Sequence, residues 1–175
     1  MWERRSFPFI VGLLLGWIQT GLFFQFSFLL SSGFGTYLLI TISWLIGSAV
    51  GAAFADRLTL PLRRFLLLML AAYGGAGLLV VLLPFQMTFW PLYMVVIALI
   101  GIYPGIFFAR VGATYPARVL FLLENNGFIT GVVVCTLLFM VTGRVALWVV
   151  PVLLVAILWV QTGRLLSASA VHTSA

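Results

Sequence analysis

The chain has 175 residues, 64% of them hydrophobic and 7% charged, with a mean hydropathy of +1.26. A water-soluble fold of this length leaves much of its surface exposed and could not hide so much apolar area, which excludes a soluble domain and implies an integral membrane protein. The net charge of +6 comes from nine arginines dispersed between apolar runs, a pattern of charge at span ends that argues against a nucleic-acid partner.

A helix needs about 20 apolar residues to cross the hydrocarbon core. Six segments qualify, over 8–30, 36–55, 65–84, 90–109, 118–142 and 145–163. The fold class expected is therefore all-α, a polytopic bundle of six transmembrane helices over 1–164, followed by a polar, disordered tail over 165–175. The first segment imitates a signal peptide, with "MWERRS" ahead of an apolar run. That run is longer than a typical signal core and no A-x-A site follows, so an uncleaved first span is expected. It carries Gly12 and Gly16, four residues apart, and a cluster of Phe23, Phe24, Phe26 and Phe28. The second span presents Ser43, Gly47, Gly51 and Ala55 on one helical face.

The loop "DRLTLPLRR" follows, holding Asp56, Arg57, Arg63 and Arg64. A carboxylate there can organise the arginines through charge-assisted bonds and cap the next helix; the alternative is a solvated loop. After the third span and "PFQMTF", the fourth carries Gly101 and Gly105 with Pro104 between them, a place where the helix could break. The fifth contains "FLLENNGFITG", an acid and two amides in an apolar helix, followed by Gly127 and Gly131. The turn "TGR" is so short that spans five and six form an antiparallel hairpin. Span six has no glycine pair and is apolar all round, which suits a peripheral position.

With the N-terminus in the cytoplasm, Arg4, Arg5, Arg57, Arg63, Arg64, Arg110, Arg118 and Arg164 fall inside and Arg144 alone falls outside. That bias requires an even number of spans and both termini in the cytoplasm. The six tryptophans are expected mostly at span ends or on lipid-facing surfaces. The four glycine pairs suit close helix packing, because lipid supplies no hydrophobic drive for helix association. Their recurrence in spans one and four, and in two and five, hints at a three-plus-three repeat.

Glu124 lies about 9 Å along the fifth helix from Arg118, in its cytoplasmic third. It shares a face with Gly127 and Gly131 and so points into the bundle. A bare carboxylate there is costly, so a partner is expected: Arg110 as counter-ion, with Asn125 and Asn126 adding hydrogen bonds. The cluster is either a buried polar clamp or a proton or substrate relay. Cys135 is the only cysteine and His172 the only histidine, which leaves no disulfide, metal cluster or bis-histidine haem within the chain. No histidine–acid pair or activated nucleophile sits in the spans, and an enzyme is not expected. No cofactor is assigned to this chain alone, although contact with lipid or a quinone is compatible with it.

The segments "WLIGSAVGAAFADRL", "RRF", "LIGIYPGIFFAR" and "LLENNGFITG" resemble the membrane domains attached to bacterial spermidine synthase-like proteins. Gln19, Trp44, Gly47, Gly51, Asp56, Arg57, Pro104, Gly105, Arg110, Gly127 and Gly131 fit that pattern, with Glu124 where the family more often has aspartate. The resemblance covers about residues 8–145 and implies half of a major-facilitator-like fold in a bacterial inner membrane, with Gln19 buried in the first helix. No glycine-rich nucleotide loop is present, so aminopropyl transfer is not carried over. Two functions follow as expectations. One is a membrane subunit that anchors or scaffolds other membrane proteins in a larger complex, with a redox complex among the candidates. The other is a half-transporter acting as a dimer, with Glu124 as its proton or substrate site.

Overall fold

The computed structural model describes residues 2–29 and 33–172, with the side chains of 2–5, 29, 87 and 163–172 outside the description. The described residues form six α-helices, α1 (Trp2–Leu29), α2 (Phe34–Phe54), α3 (Leu62–Leu82), α4 (Trp90–Val111), α5 (Ala117–Thr142) and α6 (Arg144–His172), with a short 3-10 turn over Met87–Phe89 ahead of α4. All six contain a stretch long and apolar enough to cross a membrane, and the protein is a multi-pass membrane protein. In lipid every backbone amide must find its partner within the segment, which is why each apolar run is helical throughout.

The helix ends follow local chemistry. Pro61 and Pro116 stand just before α3 and α5 in extended backbone, and Pro91 sits in the first turn of α4. Proline has no N–H to leave unpaired at a helix start. Gly143 joins α5 to α6 at φ 63° and ψ −142°, a conformation only glycine adopts without strain, and this single residue makes the expected hairpin. Two expectations fail. The helix α4 runs unbroken through Pro104, and α6 continues to His172 through most of the segment expected as a tail. The side chains of Arg4, Arg5, Arg164 and His172 lie outside the described residues.

Two helix pairs dominate the packing, α1 on α5 and α2 on α4. Both are built from the glycine pairs. Gly12 and Gly16 face the backbone of Glu124 and Phe128, while Gly127 and Gly131 face Phe9 and Leu13. In the other pair Gly47 and Gly51 face Ala98 and Ile102, while Gly101 and Gly105 face Trp44 and Ser48. Residue numbers rise together on both partners, so each pair is a parallel crossing in which glycines on both helices let the backbones touch. Exchanging α1–α3 for α4–α6 maps one pair onto the other, and likewise maps the α3–α4 contact onto α6–α1. The packing therefore has the pattern of a three-plus-three repeat, and three spans per unit make that repeat inverted.

The remaining helices close one side. α3 lies on α4 and α1, and α6 lies on α1, α3 and α5. α1 is the central element, with Val11, Leu14, Ile18, Leu22 and Phe26 fully buried. α6 is less peripheral than its composition implies, since Leu147 and Leu158 are fully buried. Trp17 and Trp44 are also buried, contrary to the expected interfacial or lipid-facing placement, because each lies on the face its helix turns toward its glycine-paired partner. Trp90 at the start of α4 is exposed as expected.

Candidate functional site: a cleft lined by a buried carboxylate

On the side away from α3 and α6, the two glycine-locked pairs separate. α2 touches α1 only lightly and α4 scarcely meets α5. The gap holds two cavities. One, about 430 Å³, lies between Gln19, Thr20 and Phe24 of α1, Tyr37 and Thr41 of α2, and Thr136 of α5. The other, about 360 Å³ and nearer the α4–α5 loop, is walled by Trp44, Ser48, Pro104, Phe108 and Phe121, with Glu124 among them. Phe128 lines both, so they are neighbours along one cleft.

Glu124 is 9% exposed. Its backbone carbonyl abuts Gly12, which fixes its height against α1, and its side chain lines the smaller cavity. Among the described residues its carboxylate makes neither a hydrogen bond nor an ion pair. This corrects the expected pairing with Arg110. The Arg110 guanidinium turns the other way and donates to the carbonyls closing α2 and its loop: from Nε and Nη2 to Ala55 at 3.3 and 3.0 Å, from Nη1 to Leu60 at 2.6 Å, and from Nη2 to Leu58. It also covers the Phe65 ring at 5.5 Å. The physical reason is topological: Arg110 belongs to the α2–α4 pair and Glu124 to the α1–α5 pair, and similar depth does not bring the two faces together.

Asn125 and Asn126 are exposed and do not join Glu124 in a buried cluster. Asn126 contributes only its backbone carbonyl, which accepts from the Thr130 hydroxyl at 2.7 Å. At 100° per residue, Asn125 falls on the arc of α5 that carries Phe121, Val132 and Thr136, while Asn126 points away from it. The loop cluster is not assembled either. Asp56, Arg57 and Arg64 are exposed, Asp56 accepts no ion pair among the described residues, and α3 has no side-chain cap. Arg57 instead lies over Phe54 at 5.5 Å and Arg63 over Trp159 at 5.4 Å. The loop is held instead by Arg110, which gathers the carbonyls of Ala55, Leu58 and Leu60.

One polar set escaped the sequence reading. Gln25 is buried and its Nε2 donates to the Tyr73 hydroxyl at 2.9 Å, which in turn donates to the Leu147 carbonyl at 3.0 Å. The chain ties α1, α3 and α6 together. Gln25 lies three residues beyond Leu22 on the buried face of α1, and that spacing was the available signal. The glutamine implied by the family resemblance, Gln19, is half-buried and lines the larger cavity. Ser48 also lines the smaller cavity, and its hydroxyl shares its one proton between the carbonyls of Trp44 and Gly101 at 3.0 and 3.1 Å. Among the described residues no three His, Cys, Asp or Glu side chains come together as metal ligands.

No protein-family model, curated protein or solved structure matches the chain.

Proposed function

We propose that this protein is one half of a solute-translocating membrane unit, with the Glu124 cleft as its solute site and a second six-helix copy closing that cleft. The observation that carries the reading is a buried carboxylate without a partner among the described residues. A structural clamp should satisfy Glu124 within the bundle, yet the groups expected to do so are turned elsewhere or exposed. A buried ionisable group that is left unpaired beside a cavity suits a transient partner, a proton or a solute. The helices are continuous, so the site is formed between helix pairs and not at a broken helix. The eight-to-one arginine bias supports a cytoplasmic position for both termini and for the mouth near Glu124.

Closure by a second copy is supported by the face that surrounds the cleft. Only 17% of the α5 span is buried, the lowest of the six. Asn125 stands exposed on the cleft side of α5, about 12 Å from the helix start, where an amide facing lipid finds no hydrogen-bond partner. A scaffolding role remains the second reading, since a different subunit could cover the same amide.

Oxidative cross-linking of Asn125→Cys in native membranes separates the two, because a covalent homodimer supports the half-transporter and a cross-link to another polypeptide supports the scaffold. The direct test is solute-induced charge displacement in proteoliposomes, read over a panel of small organic cations, anions and neutral solutes. At least one should give a signal that Glu124→Gln abolishes. A panel without any Glu124-dependent signal would defeat the proposal.

A further inference from the structure

We infer that the smaller cavity takes an organic monocation, a quaternary or tertiary ammonium on a compact apolar body. The inference rests on the cleft being a solute site and names the class of solute. Its walls supply two attractions for such a group, and only one of them, the apolar contact, for a neutral solute. Trp44, Phe108, Phe121 and Phe128 line the space, with Phe108 and Phe121 stacked on each other at 5.1 Å across the α4–α5 gap, which leaves one face of each outside that pairing. Aromatic faces attract cations through the ring quadrupole, most strongly when water is excluded, and cages of this kind recognise quaternary ammonium groups. Glu124 contributes the single opposite charge.

The other residues lining this cavity are Leu15, Ser48, Ala52, Pro104 and Gly105. None is cationic, so an anionic solute would meet a carboxylate with nothing to offset it. The nearest described arginine by depth, Arg110, is occupied by three backbone carbonyls. One carboxylate balances one positive charge. A polyamine would carry two or more uncompensated charges into an apolar cavity, which is costly. A hydrated inorganic cation would find too few oxygen ligands to replace its water. The volume of about 360 Å³ lies at the small end of ligand pockets and suits an apolar body of roughly one ring.

The probe is phenyltrimethylammonium, measured by equilibrium dialysis against the full chain in nanodiscs of zwitterionic lipid. Its neutral isostere, tert-butylbenzene, has carbon in place of the charged nitrogen. Saturable binding is expected, weakened about tenfold or more by Glu124→Gln as the charge attraction is lost. Phe121→Leu should weaken it about threefold, the share of one partly exposed ring. Neither tert-butylbenzene nor spermidine should displace the probe at equal concentration. Protection of the buried Cys135 thiol from alkylation checks that each variant is folded.

Equal affinity in folded Glu124→Gln, or displacement by tert-butylbenzene as effective as by unlabelled probe, would overturn the inference. A Glu124-dependent signal from an organic anion or a neutral solute would overturn the cation assignment while leaving the solute-site reading intact. Failure of every solute class in the proteoliposome panel would overturn both.

Discussion

Substituting alanine at Gly127 tests the element on which the whole arrangement depends. A Cβ there would stand within 3.0 Å of the Phe9 carbonyl group and at 3.0 Å from the Leu13 nitrogen, where ordinary contact begins at 3.4 Å. The obstacle is backbone, so no rotamer change relieves it, and α1 must move away from α5. Overpacking of this kind costs about 1–3 kcal/mol. Gly75 in α3 is the control, because a Cβ added there meets nothing within 4 Å. Gly75→Ala should be neutral, or stabilising by up to about 1 kcal/mol from the better helix former. The chain carries its own reporter in Cys135, its only cysteine, which is buried with Sγ 3.7 Å from the Trp17 carbonyl across the same α1–α5 crossing. Thiol reactivity along a denaturing detergent titration then reads opening directly. Gly12→Ala meets the backbone of Glu124 and Phe128 at the same crossing, so Gly12→Ala with Gly127→Ala should cost less than the sum of the two. If Gly127→Ala is no more destabilising than Gly75→Ala, the crossing is not glycine-locked and the placement of Glu124 against α1 loses its basis.

Glu124→Leu should leave stability unchanged or raise it in the absence of solute, because it removes a buried group that has no partner among the described residues; a loss of about 1–3 kcal/mol would instead show polar groups left unpaired and restore the clamp. Tyr73→Phe removes both the bond from Gln25 and the bond to Leu147 and should cost about 1–2 kcal/mol in the same titration, with no change in the solute response. Arg110→Lys cannot reach three carbonyls with a planar fork, so proteolysis of the 55–61 loop should accelerate while Glu124-dependent signals persist. Cysteines introduced over 57–63 and 111–116 should label only from the cytoplasm and those over 85–89 only from outside; external labelling near Arg63 would refute the topology.

The span positions were legible because hydropathy alone decides them in lipid, and α2 to α5 begin and end within a few residues of their apolar runs, whereas α1 and α6 extend past theirs at the two chain ends. The glycine pairs announced close packing, yet nothing local says that 12 and 16 meet 127 and 131 while 47 and 51 meet 101 and 105. Partner choice is a tertiary property of four similar surfaces. For the same reason the inward direction of Glu124 could be read from its spacing to Gly127 and Gly131, whereas its partner could not. Depth along a helix placed Arg110 nearby, but depth carries no information about which way a neighbouring helix turns. Asn125 and Asn126 were assigned to the bundle by their polarity alone, although they lie 100° and 200° around α5 from Glu124. Trp17 was misplaced by a residue-type preference that yields to helix packing.

The cleft and the glycine crossings have a common physical origin. When two helices approach until their backbones touch, the side chains flanking the contact have to splay to either side. In both pairs the side closed by α3 and α6 collects the fully buried leucines, isoleucines and aromatics of the core. The other side collects Gln19, Thr41, Ser48, Glu124 and Thr136, groups that a lipid-facing surface would avoid and a packed core would have to satisfy. Polar residues spread over three helices, on the one face where the two pairs part, are difficult to explain as packing. They do fit a surface that meets water, solute or another protein part of the time. Since the two pairs are related by the three-plus-three exchange, a rocking of one against the other would open or close this face without breaking either glycine crossing. The two tightest contacts in the molecule would then behave as rigid units, and the weak contact between α1 and α2 would be the one that changes. A disulfide that pins α1 to α2 across the cleft should therefore suppress the Glu124-dependent signal while leaving stability intact, and one placed within the α2–α4 pair should not. Equal effects of the two cross-links would count against any movement between the pairs.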